Sequence, residues 1–229
     1  MKLAEAIKKV KNEGKNPLIA EVKVKSPRDG DLLKGRDPVE IASQYVLGGA
    51  TAISVVTEKE YFGGSVEILK KVRERVSLPL LRKDFIKTKE QVKESKEVGV
   101  DAILLIVSIL SKRELRVLYN YAYSLGLETV IEIHTEKEIN IVRTLNPQII
   151  GINNKNILKL EKGENVIHPT LSLFSLIPKN VICVSESGIR NIKEAEILIK
   201  SGVDALLMGT MLLQAKDILK QVKEIVWLK

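Results

Sequence analysis

The residues of this chain best able to do chemistry are charges set inside apolar runs. Residues 18–23 read Leu-Ile-Ala-Glu-Val-Lys, between Pro17 and the turn-rich stretch 26–30. That run has the length and composition of a buried β-strand. Side chains alternate across a strand, so Glu21 and Lys23 point to the same side. Buried charge is costly unless it is paired or used. A carboxylate and an ammonium at the end of such a strand therefore read as a site, with an idle buried ion pair as the competing reading. The pattern recurs along the chain. Lys83 ends the run at 78–82, Glu132 lies near the end of 128–133, Asn153 ends 149–153, and Glu186 follows 181–185. Lysines and glutamates brought together could supply an acid and a base on one fixed skeleton. A second kind of signal comes late in the chain. Ser187 and Gly188 follow one apolar run, and Gly209 and Thr210 follow the next. Small residues let backbone N–H groups approach an anion closely, which suits a phosphate.

The elements that must carry these residues repeat regularly. Apolar runs occur near 18–23, 51–56, 78–82, 102–107, 128–133, 149–153, 181–185 and 205–208. Helical segments separate them. Several open on a capping box, as Thr88 with Gln91, Ser111 with Glu114 and Thr135 with Glu138. Several stop at glycine, at Gly48, Gly99, Gly126 and Gly202. Leu3, Ala6, Ile7 and Val10 predict a short leading helix over 2–13, ended by Gly14. Asp37 and Pro38 start another helix. Continuous apolar strands alternating with helices predict a parallel sheet covered on both faces. Eight such units predict an α/β fold, a single (β/α)8 TIM barrel over residues 1–229 with a short N-terminal helix. The stretch after the first strand, Val24-Lys25-Ser26-Pro27, lacks the glycine-rich turn of an open nucleotide-binding sheet. In a barrel, chemistry sits at the C-terminal strand ends and phosphate at the last two loops. The charged residues above fall at those ends, and the small residues in those loops. The polar loop 24–36, with Gly30 and Gly35, reads as a flexible lid.

Composition narrows the partners. The net charge is +8, with 37 basic and 29 acidic residues interspersed, and aromatic residues make up only 4%. No like-charge block or stacking surface for nucleic acid stands out, so a small anionic substrate is the expected partner. Cys183 is the only cysteine, and His134 and His168 are the only histidines. No disulfide within the chain, thiolate cluster or metal site is expected. The N-terminus carries no signal-type apolar region and no apolar run reaches 18 residues, so the expected location is cytoplasmic, with no membrane partner. Phe62 and Phe85 sit just past strands that end at the expected mouth, where rim packing and substrate contact are both open readings.

Together these stretches resemble the indole-3-glycerol phosphate synthase family. The matching segments are 19–27 (IAEVKVKSP), 53–58 (ISVVTE), 61–65 (YFGGS), 81–86 (LRKDFI), 150–154 (IGINN) and 185–189 (SESGI). They run from the first barrel strand to the seventh, in consistent order. The resemblance implies a (β/α)8 barrel without metal or cofactor. It implies conversion of 1-(2-carboxyphenylamino)-1-deoxyribulose 5-phosphate to indole-3-glycerol phosphate, carbon dioxide and water. It also implies roles for particular residues. Lys83 corresponds to the general acid that protonates the ribulose carbonyl as the ring closes. Lys23 corresponds to the lysine that holds the substrate carboxylate, Glu132 to a proton-transfer carboxylate for the dehydration, and Glu21 to the partner that fixes the lysines. Asn153 and Glu186 correspond to polar contacts with the substrate chain. Ser26, Lys155, Ser187, Gly188, Gly209 and Thr210 are implied on the substrate-binding side, the last four as the phosphate cradle. Phe62, Phe85 and Leu104 correspond to the apolar wall for the anthranilate ring. A monomer is expected.

Two features depart from the family pattern. Lys155 stands where arginine is common, which keeps the charge and loses the planar fork. The segment before Pro17 is shorter than the helical extension that covers the mouth in many members. Competing readings are weaker. The phosphoribosylanthranilate isomerases use a cysteine on the first strand and an aspartate on the sixth, and the histidine-pathway barrels use aspartates on the first and fifth. This chain has neither pair. A barrel kept only for binding would not need Glu21, Lys23, Lys83, Glu132 and Glu186 together.

Overall fold

The fold is taken from a computed structural model, which describes residues 1–155, 158, 160 and 166–229. Eight parallel strands close into a barrel: β1 (Leu18–Val22), β2 (Ala52–Val56), β3 (Leu80–Lys83), β4 (Ala102–Ile106), β5 (Glu128–Ile133), β6 (Ile149–Asn153), β7 (Ile182–Glu186) and β8 (Ala205–Met208). Each strand pairs with its neighbours in sequence, and β1 closes the ring on β8 through Ile19 opposite Leu207. The α-helices among the described residues are α1 (Leu3–Asn12), α2 (Pro38–Gly48), α3 (Val66–Arg75), α4 (Lys89–Val98), α5 (Lys112–Ser124), α6 (Glu136–Arg143), α7 (His168–Leu173), α8 (Ile192–Ser201), α9 (Thr210–Leu213) and α10 (Ile218–Val226).

The eight-strand barrel expected from the apolar runs is present, with small shifts at strand ends. Pro79 cannot donate to a ladder, so β3 starts at Leu80 rather than at residue 78. Lys83 and Glu186 are the last residues of their strands. The capping boxes at Thr88 and Ser111 form as expected. Helix α2 runs through Gly48 and stops at Gly49, whose φ of 93° takes the left-handed cap. Asp37 caps its start by accepting the Val39 N–H.

Alternation divides the barrel into two apolar layers. Leu18, Ala20 and Val22 face outward and pack under the helices. Ile19 faces inward with Leu81, Leu104, Val130 and Val184. Helix α1 closes the N-terminal end of that inner core with Leu3, Ala4 and Ile7. The Glu128 carboxylate at the start of β5 accepts the N–H groups of Leu3 and Ala4, filling donors that a helix start leaves open. The short leading helix is thus a floor, at the opposite end from the C-terminal strand ends. The loop 24–36 is also more ordered than its glycines imply. Lys25–Ser26 pairs with Gly30–Asp31 in a small antiparallel hairpin. Leu32 and Leu33 anchor its exit in the outer core, and their N–H groups bond the Val24 carbonyl.

Candidate active site

The inward positions above the apolar layer carry the charges. Lys23 Nζ lies 3.1 Å from Glu21 Oε1. Lys83 Nζ lies 3.6 Å from Glu21 Oε2 and 3.6 Å from Glu186 Oε2. An alternating row of ammonium and carboxyl groups therefore crosses the barrel from β1 through β3 to β7. Glu132 and Glu186 are completely buried. Burial, with the carboxylates of Glu132 and Glu21 nearby, pushes the Glu186 carboxyl up to about 8, against the pull of Lys83. Near neutral pH Glu186 therefore holds its proton and can donate a hydrogen bond. The Tyr45 hydroxyl, from α2, donates to the Glu21 carbonyl at 3.1 Å and fixes the end of β1 from behind.

Glycine makes room for this cluster. A Cβ on Gly151 would stand 2.1 Å from Glu186 Oε1, and one on Gly209 2.5 Å from Glu21 Oε1. Both carboxylates lie over bare backbone in the neighbouring strand or its exit. The sequence points to Gly209 as an anion contact; its closest neighbour here is Glu21.

Two cavities meet at this row and share Glu21 and Lys23. The first is lined by Lys83 and Glu132 and walled by Phe62, Phe85, Leu104, Val56 and Ile106. Phe62 and Phe85 meet edge to face, with centroids 6.4 Å apart, and Lys23 Nζ lies 5.8 Å from the Phe62 ring. A flat apolar group between these walls would have one ammonium at its rim and another at its base. The Phe62 loop is held rigidly: Glu58 accepts the N–H groups of residues 60, 61 and 62. A Cβ at Gly64 would strike the Val56 carbonyl.

The second cavity is lined by Lys155, Ser187, Gly188, Arg190, Gly209 and Thr210. Ser187 and Gly188 are both left-handed, at φ 63° and 74°. Such a conformation is uncommon for serine and is held here by its surroundings. Asn154 does much of that holding. Its amide donates to Ser185 Oγ and to the carbonyls of Glu186 and Ser187, and its oxygen accepts from Thr170. Lys155 is buried, not a solvated loop lysine. Its N–H donates to Asn153 Oδ1 at 2.9 Å.

Most of the residues singled out in the sequence converge here. Asn153 is buried beside the row, and its Nδ2 has no hydrogen-bond partner among the described residues. Ser26 lines neither cavity; its hydroxyl accepts the N–H groups of Arg28 and Asp29 and holds the hairpin turn. The sequence did not single out Gly151, Asn154, Arg190 or Glu58. Only the close approaches and backbone bonds reveal what they do. Burial pushes the Cys183 thiol up to about 12, and its side chain packs in the outer apolar layer and lines neither cavity. Among the described residues, no group of three or more His, Cys, Asp or Glu side chains is placed to hold a metal ion.

Residues 1–225 match the family model described as indole-3-glycerol phosphate synthase. The chain is 43% identical over 224 residues to the indole-3-glycerol phosphate synthase of Pyrococcus furiosus, covering 98% of this chain and 96% of that one. It is 44% identical over 215 residues to the protein of the same name from Thermococcus kodakarensis, covering 94% and 92%. Among solved structures it is similar to a thiamine phosphate pyrophosphorylase from Pyrococcus furiosus, with a TM-score of 0.67. That match covers 91% of this chain and 93% of the other at 18% identity, and bears on the fold alone.

Proposed function

Because the chain belongs to the indole-3-glycerol phosphate synthase family, we propose that its two joined cavities hold the two ends of one substrate. The activity itself is that of the family, a carboxy-lyase step in tryptophan biosynthesis. The substrate, 1-(2-carboxyphenylamino)-1-deoxyribulose 5-phosphate, has a flat aromatic acid at one end and a phosphate at the other. One cavity is apolar with lysines at its edges, and the other is lined by cations and close backbone. That match of shape and charge, with the Glu21–Lys23 pair at the junction, carries the assignment.

In this reading the ring lies between Phe62, Phe85 and Leu104, and Lys23 holds its carboxylate. Attack of the ring carbon on the ketone builds negative charge on oxygen. Lys83 gives that oxygen a proton. Carbon dioxide then leaves and its electron pair restores the aromatic ring. Dehydration needs a proton for the departing hydroxyl, which Glu132 supplies, and loss of a proton from the adjacent ring carbon to the neutral Lys83 amine. Two protons are delivered and one is recovered, so each turnover of the ionised substrate takes up one proton from solvent. Glu21 and Glu186 keep the Lys83 ammonium in place between them, and Asn153 Nδ2 is a buried donor available to a substrate hydroxyl.

Ser187, Gly188, Gly209 and Thr210 form the phosphate cradle, with Lys155 as its buried cation. Lys155→Ala is expected to lower kcat/KM by about ten- to a hundredfold, the cost of a charge-assisted contact. Lys155→Arg should retain or improve it, because arginine adds donors to the same charge. Steady-state indole fluorescence reads both. An unchanged kcat/KM for Lys155→Ala at low salt would remove Lys155 from the cradle.

The chain works in this reading as one domain over residues 1–229, as a cytoplasmic monomer without cofactor. Three of its exposed large apolar side chains, Leu47, Tyr123 and Ile197, are on separate helices. Among the described residues, no helix is long and apolar enough to cross a membrane.

A further inference from the structure

We propose that His134 is the relay through which the proton taken up in each turnover passes from solvent to Glu132, with Glu138 as its outer station. The proposal rests on the proton-donor role given to Glu132 above. Glu132 is fully buried and lines the ring cavity. A bound substrate fills that cavity and closes the direct way to water.

The structure offers a route on the other side. His134 Nε2 lies 3.4 Å from Glu132 Oε1, and Nδ1 lies 3.9 Å from Glu138 Oε2. Side-chain exposure is 0% at Glu132, 13% at His134 and 12% at Glu138, so both outer groups reach solvent that Glu132 does not. Both ring nitrogens are buried without a hydrogen-bond partner among the described residues, 3.4 and 3.9 Å from the two carboxylates, so a transfer needs a small closing movement of the ring. Glu138 is fixed by accepting the N–H groups of His134 and Thr135 as α6 begins. The other groups acting on the ring are Glu186, Lys83 and the Lys155 backbone. Burial above all, with Lys83, holds the imidazole below its usual pKa, against Glu138, Glu186 and the Lys155 contact. The neutral ring therefore has one nitrogen free to accept a proton and one to donate.

The transfer balances without a further reactant. Glu138 passes a solvent proton to Nδ1 as the Nε2–H bond breaks and its proton moves to Glu132. The carboxylate left short by the dehydration is thus reloaded, and Glu138 is reprotonated from water. Nothing is oxidised or reduced.

The test is stopped-flow indole fluorescence with His134→Asn, which removes the titrating ring. The expected result is a steady-state rate lower by about tenfold or more, because Glu132 is left without its proton supply. Added imidazole should restore that rate in a concentration-dependent way. If His134→Asn keeps the wild-type steady-state rate, the relay is wrong. If the rate falls and imidazole does not restore it, His134 only positions its neighbours and the relay is again wrong. Glu132→Gln, measured alongside, separates the two levels. A dead Glu132→Gln with an unaffected His134→Asn removes the relay alone, whereas an active Glu132→Gln removes the role of Glu132 and the relay with it.

Discussion

Replacing Lys83 with alanine is expected to lower kcat by about 10²–10⁴-fold while substrate still binds, the range typical of a lost general acid. The expectation follows from position. Lys83 is the last residue of β3, faces the ring cavity, and has its ammonium 3.6 Å from carboxyl oxygens on both β1 and β7. Ring closure creates an oxyanion that needs a proton at the moment the bond forms, and Lys83 is a donor on the cavity wall among mostly apolar side chains. The aromatic walls, Lys23 and the phosphate cradle remain in the variant, so binding should weaken far less than turnover. Lys83→Arg separates charge from proton transfer. Arginine restores the cation between Glu21 and Glu186 but holds its proton too tightly to act as an acid. It should fold as well as wild type and stay slow. A Lys83→Ala rate within about tenfold of wild type would end the general-acid assignment.

The second large effect is on stability. Burial raises Glu186 from the ordinary carboxylate value of 4.5 to about 8. The sign follows from proton counts. Between those values the native chain holds a proton at this site that the unfolded chain has released. The contribution is fully present below pH 4.5 and is lost as pH rises through 8. The slope is about 1.4 kcal/mol per pH unit across the window. Glu186→Gln has no proton to lose and keeps the polar shape. Urea unfolding of wild type and Glu186→Gln at pH 5 and pH 8.5 should therefore show wild type losing about 2–4 kcal/mol relative to the variant. A difference that does not change with pH would mean that Glu186 titrates normally and is not shielded as described.

Much of this site was legible because charge inside an apolar strand is expensive. Glu21, Lys23, Lys83, Glu132 and Glu186 stand out for that reason, and alternation alone puts Glu21 and Lys23 on one side. The barrel was legible from eight apolar runs separated by capped helices. What was hidden depends on contacts across strands. Gly151 reads as one more small residue in Ile149–Asn153 until the Glu186 carboxylate is seen lying over it. Asn154 gains its role only when the loop after β7 folds back beside it. The hairpin at Lys25–Ser26 and Gly30–Asp31 has two residues per strand, too few for alternation to register. Ser26 belongs to a matching motif, yet its hydroxyl is spent on the turn. The floor helix shows its apolar face in the sequence but not which end of the barrel it closes.

The most direct test of the central claim is a crystal structure with indole-3-glycerol phosphate bound. The phosphate should lie among Lys155, Ser187, Gly188, Gly209 and Thr210, the indole ring between Phe62, Phe85 and Leu104, and Lys83 Nζ within hydrogen-bonding reach of the chain between them. A product bound with its phosphate in the aromatic cavity, or away from both cavities, would contradict the account.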